Sequence, residues 1–440
     1  MSGEPDIIAG GALIIEDDRI TAVGLTTELQ QSATDADRII DASGQAILPG
    51  LVNTHTHLAG ALTKALTEDV TSYGGPFKVA LGIHENVATK EDIYLPGVVH
   101  GIEMLKTGTT CINECWWYQP QSARIIHDVG LRGVVAAEIR EVDSSKVGFG
   151  RMERDWDEAL LEQGIEEQID LIENWHGKAN GRITCRVGPD GPDRLRPESL
   201  ARLRELADRY HIGLHAHLCS VPGEAEFMLH SWGKRSIPLL QELGVLGADF
   251  IGAHCVYVED EDIEIMAQTG TKMSHTAYLV AKRGYYPPMD KFYKSGVGVA
   301  LGSDWLSNDM WKVMRAAIIV PRAVFGDVAI RTGRDVLRMA TIEGAHALGM
   351  DQEIGSLEPG KKADVILLDM RTAWCNPIRS ENLITNLVYN ANGGDVSHVF
   401  VDGELLVEQG TLTRMDETEM IREAQKVAEK VWASAGDLLN

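Results

Sequence analysis

Two histidines one residue apart, His55 and His57, end the run Leu48-Pro-Gly-Leu-Val-Asn-Thr-His55-Thr-His57. Alternate residues of a strand project to the same face, so both imidazoles can address one ion. In a chain with 14 histidines such a pair carries little weight alone. Its weight comes from the other strand ends. His217, His254 and His275 each close an apolar β-type run, and Asp304 follows another. A histidine on an apolar strand is ordinarily a packed core residue, but four runs that each end in a metal-binding or proton-transfer group point to one shared site. Imidazole and carboxylate without thiolate suit zinc, iron, manganese or nickel. Cys111 and Cys115 have no matching second pair, so a zinc knuckle is not expected.

The runs that carry these groups are Thr109 to Asn113, Gly133 to Ala137, Ile183 to Val187, Gly213 to His217, Phe250 to His254, Thr271 to His275 and Val297 to Gly302. Helical patterns separate them, as at Pro197 to Tyr210 and Asp260 to Gln268. Repeated β and α alternation over this length predicts an α/β fold, a TIM-type (β/α)8 barrel, whose strand C-termini share one face. The first fifty residues read instead as short strands and turns: Ala12 to Ile15, Arg19 to Val23, a strand and turn over Ile39 to Gly44, then Ala46 to Leu48. The same texture returns at Ala363 to Leu368, Val396 to Val401 and Leu405 to Val407, with Asp402-Gly403 as a hairpin turn. Residues 1–50 and 355–415 are therefore expected to pair into a small β-sandwich domain. Residues 51–354 would form the barrel, and a helix over Asp416 to Leu439 would close the chain.

Composition narrows the partners. The chain has 440 residues, 44% of them hydrophobic, enough for a large core. A formal net charge of −24 repels phosphate backbones and anionic headgroups, so neither nucleic acid nor membrane is an expected partner. Met1 to Gly10 lacks the pattern of a signal peptide, and no apolar run has the length of a membrane span. Six scattered cysteines read as reduced thiols of a cytoplasmic protein.

The ordered set Asn53-Thr-His55-Thr-His57, His217-Leu, Gly252-Ala-His254-Cys, Ser274-His275 and Gly302-Ser-Asp304 with Ser307-Asn308 resembles the amidohydrolase superfamily. It is most similar to the branch containing S-adenosylhomocysteine deaminases and triazine hydrolases. Gly355-Ser-Leu-Glu-Pro-Gly-Lys361-Lys-Ala-Asp364 resembles the segment leading back to that family's β domain. The resemblance implies one divalent ion, zinc first with iron(II) or manganese(II) as alternatives, held by His55, His57, His217 and Asp304. It implies catalytic roles for His254, Asp304 and His275 around water activated by the ion. Two-metal relatives place a lysine near the end of the strand that here reads Val187-Gly-Pro, so a single ion is expected. His215 reads as a packed or supporting residue, and His84, His100 and the remaining histidines as structural. The same analogy implies a homo-oligomer, a dimer or larger.

Three departures fall where such enzymes meet substrate. Ser220 replaces a glutamate that protonates a ring nitrogen, Asp190 replaces a histidine, and the segment after His275 carries Lys282-Arg283. These disfavour S-adenosylhomocysteine itself. Trp116-Trp117-Tyr118 and Trp305 offer stacking surfaces for a flat ring. The expected substrate contacts are Trp116, Trp117, Asp190, Ser220, Trp305 and Asn308. Lys282 and Arg283 would meet an anionic substituent or stay solvated. The expected reaction displaces an amino, chloro or alkylamino group from a small heteroaromatic ring. Cleavage of an amide, urea or carbamate bond is the alternative.

Overall fold

The computed structural model describes residues 7–436 except 33, 67, 70–74, 118, 144–146, 148–151 and 306. Eight parallel strand positions make the barrel: Leu51–Thr56, Thr109–Trp116, Arg132–Ile139, Ile183–Cys185 resumed at Gly188–Pro189, Leu214–Leu218, Phe250–His254, Lys272–His275 and Val299–Leu301. They fall into two sheets of consecutive neighbours. Bridges between Thr56 and Asp304 and between Val187 and Leu214 join those sheets at both edges. The amide of Asp304 donates to the His55 carbonyl and that of Val187 to the Gly213 carbonyl, both at 2.9 Å. The ring is thus closed by ordinary ladder bonds.

The terminal segments meet in one antiparallel sheet, in which Gln45–Pro49 pairs with Val365–Asp369 along five residue pairs. Val396–Val401, Glu404–Glu408 and Thr411–Leu412 extend that sheet. The hairpin Gly11–Glu16/Arg19–Leu25 packs with it around Ile20, Ala363, Val365 and Leu367. Asp402 and Gly403 turn with φ of 53° and 79°, the pair of left-handed residues that a tight hairpin requires. A Cβ at Gly403 would lie 1.9 Å from the Asp17 carbonyl oxygen, so the two hairpin turns abut there. Ile39 to Ala42 differs from expectation. It is not a strand, and Ile39 is 78% exposed, so an apolar pair without a partner strand stays irregular. The closing helix runs Glu417–Ala435 and packs on the barrel, with Trp432 donating to the Leu62 carbonyl at 2.8 Å.

One buried cation ties the two parts together. Arg132, at the start of the third strand, donates to both oxygens of Asp364 at 2.9 Å and to Asp402 at 2.8 Å. Arg132 and Asp364 are 4% and 3% exposed. Removing one partner from such a network strands the others without water, at about 3–5 kcal/mol. Arg132→Met is therefore expected to lower unfolding free energy in urea by about that amount. A change of roughly 0.5 kcal/mol or less would mean that the terminal sheet is held by packing instead.

Candidate metal centre

The strand C-termini bring five side chains to one point. His55 and His57 leave the first strand, His217 lies in the fifth, His254 ends the sixth and Asp304 follows the eighth. His254 and Asp304 adopt φ of 75° and 64°. A left-handed conformation is costly for side chains larger than glycine, and such residues concentrate at functional sites. Ser303 helps hold the Asp304 turn: its amide donates to Asn53 Oδ1 at 2.9 Å and its hydroxyl accepts from Asn53 Nδ2 at 2.7 Å.

The ring nitrogens sort into two sets. His57 Nδ1 donates to the Cys115 carbonyl, and His217 Nδ1 donates to the Asp190 carbonyl at 2.8 Å. His55 Nδ1 lies 2.9 Å from His215 Nε2. In His57 and His217 the carbonyl acceptors commit Nδ1 as donor and leave Nε2 as the nitrogen for an ion, and His55 presents Nε2 in the same way when His215 Nε2 accepts. Those Nε2 atoms face one another and Asp304. His57 Nε2 is 3.4 Å from His217 Nε2, His55 Nε2 is 3.5 Å from Asp304 Oδ2, and His57 Nε2 is 4.0 Å from Asp304 Oδ1. Ligand atoms about 2.0–2.1 Å from a tetrahedral ion stand roughly 3.4 Å apart, so the spacing fits. His55 Nε2 is fully buried without a hydrogen-bond partner, a cost that an ion would remove.

His254 completes the ring of donors. Its Nε2 is 3.4 Å from Asp304 Oδ2, and its Nδ1 lies 2.9 Å from the Thr276 hydroxyl. Burial holds His55 and His254 well below the usual histidine range and takes His57 to about 4, so these rings are neutral. His217 goes the other way. Burial lowers it, but Asp190 and Glu138 outweigh that and place it at about 9, so an ion taken up at Nε2 would displace a proton from this ring. Glu138 Oε1 lies 3.2 Å from His217 Nδ1. Cys115 Sγ is 3.8 and 3.9 Å from the Nδ1 atoms of His55 and His57, the edges already in use. Burial, reinforced by neighbouring carboxylates, keeps that thiol protonated.

Aromatic side chains cover one side of the cluster. Trp116 lies 4.5 Å from Trp117, 4.7 Å from Trp305 and 5.0 Å from His57, between ring centroids. His84 contacts both Trp116 and Trp305, at 5.3 and 5.4 Å. Its helical setting in the sequence resembled that of any packed histidine and gave no signal. Arg140 stacks on Trp117 at 3.9 Å and meets Glu85 at 3.3 Å. Tyr118 lies outside the described residues.

Several expected site residues lie outside the cluster or support it from behind. His275 does not join the cluster: its Nε2 lies 3.0 Å from the Tyr286 hydroxyl. Asn308 is wholly buried, with its amide among Thr56, Ser303 and Glu103, a position that braces the Asp304 turn. Asp190 is buried, pairs with Arg194 and holds His217 through its carbonyl. Lys282 pairs with Glu68. Ser220 is half-buried, and its amide donates to Glu224 at 2.9 Å. Glu224 also accepts from the Cys219 amide and the Ser236 hydroxyl. Sequence reasoning missed Glu114, which accepts from the Leu58 amide at 2.8 Å and the Ser122 hydroxyl at 3.0 Å, securing the turn after His57. An acid near the end of an apolar strand was the available signal for it and for Glu138.

Two measurements test these supports. His215→Phe is expected to weaken zinc affinity by about 10–100-fold, the usual effect of losing a partner behind a ligand; unchanged affinity in chelator competition would show that His55 needs no such anchor. Burial raises the Glu224 carboxyl to about 7 from its ordinary 4.5. The folded protein therefore binds the extra proton, and this group's contribution to stability falls as pH rises from about 4.5 to about 7. Glu224→Gln should flatten that part of the stability-against-pH curve, and an unaltered slope would locate its cause elsewhere.

Residues 46–406 match the amidohydrolase family. The chain is 32% identical over 437 residues to 5'-deoxyadenosine deaminase of Methanosarcina mazei, covering 98% of this chain and 96% of the relative. It is 34% identical over 438 residues to 5-methylthioadenosine/S-adenosylhomocysteine deaminase of Symbiobacterium thermophilum, with coverage of 98% and 96%. Among solved structures it is similar to a zinc-bound adenosine deaminase of Xanthomonas campestris, with a TM-score of 0.86, 24% identity and coverage of 98% and 95%. An atrazine chlorohydrolase of Arthrobacter aurescens complexed with zinc gives 0.85, 22% identity and 94% of each chain. Family match, barrel and strand-end histidines agree: the chain belongs to the amidohydrolase family and is a hydrolytic enzyme acting on C–N bonds.

Proposed function

We propose that this enzyme uses one divalent ion, zinc first and iron(II) or manganese(II) next, to replace an amino group on a small heteroaromatic ring by hydroxyl. A chloro or alkylamino group is the neighbouring possibility within the same chemistry. The observation that carries the reading is the convergence of the His55, His57 and His217 Nε2 atoms on Asp304. His55, His57, His217 and Asp304 would hold the ion, whose Lewis acidity makes hydroxide available at neutral pH.

The chain's own groups supply the rest. Asp304 takes the proton released by water and passes it to the departing nitrogen. In the tautomer where His254 Nδ1 accepts from the Thr276 hydroxyl, Nε2–H would stabilise charge developing on the reacting group. Trp116 and Trp305 offer faces to a flat ring beside His57. His84 and Arg140 border the same aromatic wall. The relatives' names support an adenosine-type nucleoside as the first substrate class to try. We further infer a cytoplasmic homo-oligomer. Six buried free cysteines are consistent with that compartment, and among the described residues no helix is long and apolar enough to cross a membrane.

One observation favours the second reading, hydrolysis of an amide, urea or carbamate. Ser220 has no carboxyl, and the Glu224 carboxylate is committed to two backbone amides and Ser236. A bond whose cleavage needs little ring protonation would suit such a site. Ammonia release by the zinc-loaded protein against aminated purine nucleosides, pyrimidines, pterins and triazines separates the two. Deamination of at least one ring is expected, and Ser220→Glu should raise kcat/KM on purines by about tenfold or more. No ammonia from any ring, with cleavage of an amide or urea, would establish the second reading.

A further inference from the structure

The floor of the barrel, at the other end of the strands from the histidines, has a feature that C–N hydrolysis does not use. A cavity of about 520 Å3 opens there between the strand starts, Arg19 of the N-terminal hairpin and the segment from Leu348 to Lys362. Its lining includes Arg19, Arg132, Arg186, His211 and Lys362, against the single carboxylate of Glu353. Most of these cations are matched. Arg132 is bound by Asp364 and Asp402, Lys362 by Asp18 and Asp402, and Arg19 by Glu353 at 3.2 Å.

Arg186 has no carboxylate at hydrogen-bond distance. It is 6% exposed, and its guanidinium donates to the carbonyls of Asp249, Leu214 and Ala347 at 2.6, 3.4 and 3.3 Å. None of these bonds reaches a carboxylate, and burial pulls its pKa down to about 10. Lys272 on the same floor donates only to the Gly270 carbonyl, at 2.7 Å, and the nearby Arg186 charge adds to the effect of burial on it. Arg186 thus lines the cavity, with Lys272 beside it outside the lining, and the Asp249 carboxylate that acts on Arg186 is already bound by Arg204, in a chain of net charge −24. A Cβ at Gly213 would fall 2.4 Å from Arg186 Nη1, so the guanidinium is seated against bare backbone. Buried charge of this kind calls for an opposite charge.

We propose that this floor cavity binds a small phosphate-type oxyanion, with Arg186 as its buried counter-charge and Arg19 at its open edge. A planar guanidinium fork matches tetrahedral oxyanions, and a doubly negative ligand in this cavity answers Arg186 and Arg19, which both line it. The site is separate from the metal centre, because Gly213 precedes the strand in which His217 lies near the far end.

Calorimetric titration of the metal-loaded enzyme with inorganic phosphate, and in parallel with citrate, tests this. One saturable phosphate site per chain is expected, weakening as sodium chloride is added. Arg186→Met should weaken it about tenfold or more, the ratio for one charge-assisted hydrogen bond. Arg19→Gln should weaken it severalfold; Arg19 is 41% exposed, so that variant does not depend on repacking the floor. His217→Ala should bind phosphate as the parent does. No saturable phosphate heat, or binding of citrate alone, overturns the proposal. So does loss in His217→Ala with retention in Arg19→Gln, which would put phosphate at the metal centre.

Discussion

The metal centre depends on hydrogen bonds made on its far side. An imidazole offers two nitrogens, and which one faces a common point is decided by what captures the other. Here His57 is captured by the Cys115 carbonyl, His217 by the Asp190 carbonyl and His55 by His215. Two of those acceptors are main-chain atoms of the second strand and of the residue just after the fourth. The ring orientations are therefore set by barrel register, not by side-chain choice alone. A slip between neighbouring strands would misplace ligands and anchors together.

The same dependence explains what the sequence could disclose. In a parallel barrel every strand C-terminus reaches one face, so a rule about strand ends located His217, His254 and Asp304 without knowledge of packing. The rule is blind to which way the last side chain turns. His275 ends its strand as His254 does, yet its ring meets Tyr286. Glu114 and Glu138 belong to long strands whose continuation past Asn113 and Ala137 the apolar pattern did not reveal. His84 was illegible for another reason: only the fold brings its helix against Trp116 and Trp305. The pairing of Gln45–Pro49 with Val365–Asp369 was foreseeable from texture, because both segments end at turns and neither can satisfy its backbone alone.

Ser220, three residues past His217, carries no carboxyl. A carboxylic acid there would bring both a proton and, once ionised, a charge near His217. Serine brings neither. The nearest acid along the chain, Glu224, is turned back onto the Cys219 and Ser220 amides, where it fixes the loop after the fifth strand. Its role is geometric. Any proton that a ring nitrogen receives must then come from another group or from the substrate's own chemistry. The aromatic wall of Trp116, Trp117 and Trp305 offers stacking without supplying that proton.

The fourth strand leads to an anchor for His217 and carries no lysine near its end. It is interrupted between Cys185 and Gly188, and it puts Arg186 toward the floor, where the guanidinium grips the carbonyls of Asp249 and Leu214. At the upper end Pro189 closes it, and Asp190 follows with its carbonyl given to His217 and its carboxylate to Arg194. By the family resemblance, two-metal relatives take a bridging lysine from this strand. Cys185, Val187 and Gly188 offer no oxygen or nitrogen side chain, and the Asp190 groups are taken. At this end the strand's polar groups are spent on orienting one histidine from behind.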